Sequence, residues 1–218
     1  MQQPIVISGA GILGCYISCA LSFQGIDSII LEKKDDEVED SVRTITLNPF
    51  SKNLLDKIGV EIDYSMINKM EVKDFDGTGK IVFKSSEIGM DHLAYVSDFA
   101  TLLIALRKKA GEKILYKEEI IDIDNKGDFN EVTLSSGKVI KTNLIISSDG
   151  KTSKLANNIP KSDKDYFQTA LTFLASAEKD MNMSAFQIFS DNGICAFMPT
   201  RKKGEDLVTV VWLSLIHI

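Results

Sequence analysis

Histidine is scarce in this 218-residue chain, with only His92 and His217 present. That leaves no Ser-His-Asp arrangement for nucleophilic catalysis and starves any zinc site of imidazole. Cysteine is nearly as rare. Cys15, Cys19 and Cys195 are an odd number in a chain whose start, MQQPIVIS, lacks the charged and apolar regions of a cleaved export signal, so no disulfide framework is expected. Cys15 and Cys19 share a helical pattern but lack further ligands to complete a metal site, and are expected as small buried residues; no metal is expected. Long apolar runs are missing too. The most apolar stretch, VTVVWLSLIHI, falls short of the about 20 residues that a membrane-spanning helix needs. The cytoplasm is the expected compartment. Positive charge is outweighed, with 25 basic against 31 acidic side chains and a net charge of −6. With no basic stripe and no long acidic tail, the expectation is a small-molecule partner and no nucleic acid.

What the chain does have is enough apolar residue, 44%, to bury a sizeable core. PIVIS is a short apolar run, GAG breaks it, and ILGCYISCALSFQG follows with Leu13, Ile17, Ala20 and Leu21 at helical spacing. Gly25 marks the helix end and SIILE reads as a second buried strand, which completes a βαβ unit. KKDDEVED reads as a solvated loop. Asn48-Pro49 is a helix start, because Asn can cap free N–H groups and Pro needs no donor at the first position; Gly59 ends that helix. EVKDF, DGTG and KIVFK read as a hairpin that breaks the βα rhythm. A helix from about Ser97, strands in KILY, EIIDID, EVTLS, KVIK and LIISS, and a β-rich tail from YFQTALTFLASA onward complete the pattern.

The strongest local signal is Gly9-Ala10-Gly11-Ile12-Leu13-Gly14 between strand and helix, with Glu32 closing the next strand. Gly9 permits the tight turn, Gly11 lets the backbone approach a pyrophosphate, and Gly14 lets the helix pack close to the sheet. The helix N-terminus offers unpaired N–H groups to an anion, and Glu32 can accept from both hydroxyls of an adenosine ribose. An acid there argues against a ribose 2′-phosphate. FAD and NAD stay equally open on these residues, as do an NAD-binding Rossmann protein and a non-catalytic nucleotide-binding module.

Arg43 in DSVRTITL, and Asp149-Gly150 ending the late strand LIISSDG with Ser153 beyond, extend the pattern. In this order, with MEVKDFDGTGKIVF, LAYVSDFATLLIAL and AFQIFSDNGICAFMPT at suitable intervals, the chain resembles the class A flavoprotein aromatic hydroxylases, most closely those of ubiquinone biosynthesis. The resemblance implies an α/β fold: a Rossmann-like FAD-binding domain of the GR2 type with an adjacent or inserted β-rich substrate domain. It implies FAD as cofactor, NAD(P)H as reductant, and O2 as the source of the oxygen placed on an aromatic, polyprenylated substrate. Peripheral association with a membrane or a biosynthetic complex goes with such a substrate. A flavin-dependent reductase or dehydrogenase on the same fold is the alternative. The cofactor-binding set it implies is Gly9, Gly11, Ile12, Leu13, Gly14, Glu32, Lys33, Arg43, Asp98, Ile120, Asp149 and Gly150. Arg43 would lie against the flavin and Asp98 would reach the ribityl chain, the latter doubling as a plain helix cap. No catalytic residue is named; Tyr95, Phe197 and Met198 are candidates to line the substrate side or simply core.

The resemblance divides the chain into residues 1–69 and 95–160 for FAD, with 70–94 and 161–218 on the substrate side. The family's third flavin motif, a Gly-Asp pair followed by Ala-His, has no counterpart here, so C-terminal truncation is expected. The closing SLIHI fits the family poorly and reads as a cloning or assembly scar, or as an unusual edge strand.

Overall fold

A computed structural model describes residues 3–150, 153, 155, 162, 164 and 166–214. In chain order the strands are β1 (Ile5–Ser8), β2 (Ser28–Glu32), β3 (Thr44–Leu47), β4 (Ser65–Ile67), β5 (Lys69–Asp74), β6 (Lys80–Lys84), β7 (Ala94–Asp98) and β8 (Ile114–Tyr116). They continue with β9 (Ile120–Asn125), β10 (Asn130–Leu134), β11 (Val139–Thr142), β12 (Ile145–Ser147), β13 (Thr169–Ala175), β14 (Ser184–Ser190), β15 (Gly193–Lys202) and β16 (Glu205–Ser214). The α-helices among these residues are α1 (Ile12–Phe23), α2 (Pro49–Lys57) and α3 (Phe99–Ala110). Most of the closing SLIHI lies outside the described residues.

The chain forms two units, one of Met1–Glu39, Ile58–Val60 and Leu102–Ser162, the other of Asp40–Lys57, Glu61–Thr101 and Asp163–Ile218. Residues 40–57, 61–69 and 95–101 therefore cluster with the hairpin segment, because β3 and β4 both pair with β7.

The first unit holds a parallel sheet in the order β12-β1-β2-β8. Val6 pairs with both Ile145 and Ile29, which makes β1 an inner strand; it is apolar up to Ser8 because both its faces are covered. A three-stranded antiparallel sheet, β11-β10-β9, shares with it a core of Val6, Leu31, Ile120, Val132, Leu134 and Ile140. Helix α1 departs from its sequence pattern. Its buried residues are Gly14, Cys15, Ser18 and Cys19, whereas Leu13 is 67% exposed. The cause is close packing: the helix lies so near the sheet that only small side chains fit beneath it. Ser18 spends its polarity there on the buried hydroxyl of Ser28, 2.8 Å away.

The second unit holds a six-stranded sheet, β13-β16-β15-β14-β5-β6, and a three-stranded one, β3-β7-β4. The expected hairpin is β5–β6, paired antiparallel, and the β-rich tail supplies the other four strands of the larger sheet. Ile67, Ala94, Val96 and Ala185 form a core with Met70 and Met198 against it. Asn48 caps α2 as expected, its Oδ1 accepting from the Ser51 N–H at 2.8 Å, and Gly59 follows at φ +68°. Helix α3 starts at Phe99, later than expected, because Ser97 and Asp98 complete β7 and Asp98 then serves as the cap.

One acid is buried in the larger sheet. Glu71, 5% exposed, accepts ion pairs from Lys73 at 2.7 Å, Lys69 at 2.9 Å and Lys80 at 3.1 Å. These ammonium groups hold its pKa at about 2, below an ordinary value of 4.5. Because the folded pKa is the lower one, the stability Glu71 contributes is present above pH 4.5 and lost as pH falls toward 2. The urea midpoint of the native chain should accordingly exceed that of Glu71→Gln at neutral pH, and the gap should close across that acid window. A gap that is constant with pH would show that the lysines do not act through the charge.

Candidate functional site

The loop between β1 and α1 is built by contacts that only glycine allows. Gly9 sits at φ +98°, a conformation L side chains rarely adopt, and a Cβ there would come within 2.9 Å of the Ser148 carbonyl oxygen. Its N–H donates to the Leu31 carbonyl at 2.8 Å. A Cβ on Gly14 would lie 2.0 Å from the Gly9 carbonyl oxygen, so α1 rests directly on the turn. Gly11 is different. It caps α1 with extended backbone, and a Cβ there meets nothing within 4 Å.

That open space belongs to a cavity of about 230 Å3 in the first unit. Its walls are Ser8, Gly9 and Gly11 from the turn, Leu31, Glu32 and Lys33 from the end of β2, Glu118, Glu119 and Ile120 ahead of and opening β9, and Ser148, Asp149 and Leu155 after β12. The first N–H groups of α1 have no intrahelical acceptor, and no side chain caps them. No acidic residue stands in that first turn. This end of the cavity is therefore suited to an anion by helix charge and backbone donors together.

Glu32 does more than the sequence assigned to it. Its Oε2 accepts from the Ala10 N–H at 2.9 Å and its Oε1 from the Lys34 N–H at 3.0 Å, so it staples the glycine turn to the end of β2. A carboxylate has about four lone-pair sites, which leaves acceptor capacity for a ligand hydroxyl. Arg107 completes this staple. It lies in α3 with its side chain 11% exposed, donates through Nε to the Ala10 carbonyl at 3.1 Å, and holds Nη2 3.7 Å from Glu32 Oε2. Its Nη1 donates to the Asp36 carbonyl at 3.3 Å, which pins the start of the acidic loop.

Ser148 is a second residue whose part the sequence understated. Its hydroxyl donates toward the carbonyls of Ser8 at 2.8 Å and Gly9 at 3.0 Å, and its N–H also reaches Ser8 at 2.8 Å. Beside it, Asp149 Oδ2 accepts from the Ser153 hydroxyl at 3.1 Å, while Oδ1 is buried without a hydrogen-bond partner among the described residues. An orphaned carboxylate oxygen beside a cavity is a place for a ligand donor. Cys15 lies under the same turn, and burial pushes its thiol pKa up to about 12. It is a packing residue, since the thiolate is the form that binds metals or attacks.

The structure thus gathers Gly9, Gly11, Glu32, Lys33, Ile120 and Asp149 around one cavity, with Ile12, Leu13 and Gly14 opening the adjoining helix and Gly150 following Asp149 at φ +76°. Arg43 and Asp98 belong to the second unit. There the Arg43 guanidinium lies 4.3 Å over the Phe99 ring. Asp98 caps α3: Oδ2 accepts from the Thr101 N–H at 2.9 Å and its hydroxyl at 3.0 Å, and Oδ1 faces the Lys202 ammonium at 3.4 Å. No local pattern pointed to Arg107, which reads as part of an ordinary basic helix end, RKK; nor to Glu118, which only the strand pairing brings beside Glu32.

The sequence model of a family described as FAD binding domain matches residues 2–215. The chain is 27% identical over 235 residues to a mitochondrial ubiquinone biosynthesis monooxygenase of Danio rerio, covering 94% of this chain and 48% of that protein. It is 26% identical over 225 residues to the 3-demethoxyubiquinol 3-hydroxylase of Escherichia coli, covering 95% and 57%. The chain spans about half the length of the curated relatives it matches. Among solved structures, a probable FAD-dependent monooxygenase from Pseudomonas aeruginosa superposes with a TM-score of 0.83 at 18% identity, over 98% of this chain and 61% of that one. HpxO of Klebsiella pneumoniae, complexed with FAD and uric acid, gives 0.78 at 16% identity, over 99% and 57%. Those two likenesses establish the fold.

The glycine geometry separates two variants that look alike in sequence. Gly14→Ala should lose several kcal/mol of stability, on the order of the larger overpacking costs, because backbone must move to admit the methyl group. Gly11→Ala should lose no more than about 1 kcal/mol, the cost of a poorer cap. Urea unfolding of the two chains measures the difference, and equal losses would refute the packing described.

Proposed function

This chain belongs to the FAD binding domain family, and from that premise we propose that it is the adenosine-binding and substrate-side part of a monooxygenase that hydroxylates an aromatic ring using NAD(P)H and O2. The observation that carries the reading is the open position at Gly11, at the uncapped N-terminus of α1 and in the same cavity as Glu32. Bound FAD, once reduced by NAD(P)H, supplies the activation of O2. What this chain's residues do is hold it. The α1 N–H groups and the bare Gly11 backbone would receive the pyrophosphate, Glu32 would accept from the adenosine ribose, and Asp149 would offer the Oδ1 that has no partner among the described residues to a donor further along the cofactor. Arg43 is assigned to the flavin ring. Asp98 is assigned to the ribityl region through its place at the start of α3, beside Lys202.

In this reading residues 1–69 and 95–160 serve the cofactor, and the hairpin at 70–94 with residues 161–218 serves the substrate. The second unit carries a cavity of about 450 Å3 whose wall mixes Tyr64, Met66, Met181 and Met183 with the charged Glu178, Lys179, Asp180, Arg201 and Asp206. Its methionines and tyrosine can pack on an aromatic ring, while its charged residues suit polar substituents on that ring. Of the earlier candidates, Met198 packs into the core and Tyr95 stacks edge-on against Tyr64 with centroids 5.8 Å apart. The relatives named for ubiquinone biosynthesis favour a polyprenylated phenol. No helix among the described residues is long and apolar enough to cross a membrane. A polyprenyl tail partitions into lipid, and on that ground we propose that such a substrate is met at a membrane surface.

Two titrations test the cofactor assignment. Gly11→Val should abolish FAD binding, since its branched side chain fills the space the pyrophosphate needs; wild-type affinity in a folded variant would sink the assignment. Glu32→Ala should weaken FAD by roughly 1–3 kcal/mol beyond any loss of stability while leaving FMN, which has no adenosine, little changed. Equal losses for both flavins would assign Glu32 to the turn alone.

A further inference from the structure

The nucleotide cavity is unusually acidic. Glu32, Glu118, Glu119 and Asp149 all line it, against Lys33 as the lysine among its walls. Anionic phosphates therefore belong at the Gly11 end, and Glu32 and Glu118 beyond are suited to ligand groups that donate. Glu118 is placed for one of them. Its N–H donates to the Glu32 carbonyl at 3.0 Å, so it stands beside the ribose-reading acid at the edge of the sheet. Its Oε2 is held from outside the cavity, by the Ser135 hydroxyl at 2.8 Å and the Ser136 N–H at 3.2 Å in the turn between β10 and β11. These donors keep the carboxyl ionised, with its pKa below the ordinary value. Its other oxygen makes no hydrogen bond among the described residues. Ile120 and Leu155 contribute apolar surface to the same cavity.

We infer that Glu118 is a specificity residue that reads the exocyclic amine of adenine, and so restricts the site to adenine nucleotides. The inference rests on the FAD reading above and adds the base to it. A base follows the ribose, so the group beyond Glu32 meets the base edge. Adenine presents an amine there, a donor that a carboxylate accepts. Hypoxanthine presents at the same ring position a carbonyl oxygen, which a carboxylate repels, and keeps its one ring N–H donor at the neighbouring position.

The pinned oxygen makes the idea sharp. In Glu118→Gln the Ser136 N–H still requires an acceptor, so the amide oxygen takes the pinned place and the NH2 group turns toward the base. The preference should then reverse, because a donor now faces the position that is an amine in adenine and a carbonyl in hypoxanthine. Calorimetric titration of the 218-residue chain with ADP and with inosine diphosphate reads this directly. The native chain should bind ADP about tenfold or more tightly, the ratio expected for one hydrogen bond to a charged group, and Glu118→Gln should abolish or invert that ratio. A dimethylated ADP that lacks both amine hydrogens should lose a comparable factor on the native chain, which decides the matter without a variant if Glu118→Gln fails to fold. Equal affinities for ADP and inosine diphosphate in the native chain, or an unchanged ratio in a folded Glu118→Gln, would overturn the role of Glu118 while leaving the FAD reading standing. Failure of ADP to bind the native chain would overturn both.

Discussion

The approach of α1 to the Gly9 carbonyl is the constraint from which the first unit is built. With the would-be Cβ of residue 14 only 2.0 Å from that oxygen, the helix cannot sit where it does unless residue 14 is glycine. The same closeness explains why the face beneath the helix carries cysteine and serine while the larger Leu13 is exposed. It also aims the unpaired N–H groups of the helix at the ends of β1 and β2, where a pyrophosphate can use them. Packing and ligand binding are here two results of one distance.

Glu32 and Arg107 stiffen that arrangement, and they show why a binding residue can be hard to separate from a structural one. Glu32 holds the Ala10 N–H and Arg107 holds the Ala10 carbonyl, so both polar groups of one turn residue are fixed by side chains from distant parts of the sequence. Both side chains are nearly buried, and neither charge can lose its neighbour cheaply. The turn is thereby preorganised before any nucleotide arrives, which spares the ligand the entropy of ordering it.

Much of this was legible from the residues alone. The G-x-G-x-x-G turn, the βαβ unit, the Asn48 cap and the β5–β6 hairpin each follow from a local rule with a period or a backbone requirement behind it. What stayed hidden depended on pairing between remote segments. Arg107 reads as one of three basic residues closing a helix, and only the fold brings it to Ala10. Ser148 reads as one of two serines closing an apolar strand, yet its hydroxyl ties the last parallel strand to the first turn. The face of α1 was misread for the same reason: amphipathic spacing marks where large apolar groups recur, not where a sheet comes too near to admit them. Asp98 illustrates a residue with two readings, and its cap geometry supplies the local one.

The strand order carries a consequence for how the molecule comes into being. β1 is flanked by β12, and the Ser148 hydroxyl that closes the turn meets an acceptor 140 residues earlier in the chain. A ribosome adding roughly 5–20 residues per second needs on the order of ten seconds to deliver that partner. Throughout the interval the first strand, made almost entirely of isoleucine and valine, has an open edge in a nascent chain. The first strand thus waits some 140 residues for its neighbour, an interval in which its bare edge is a place for a chaperone to bind.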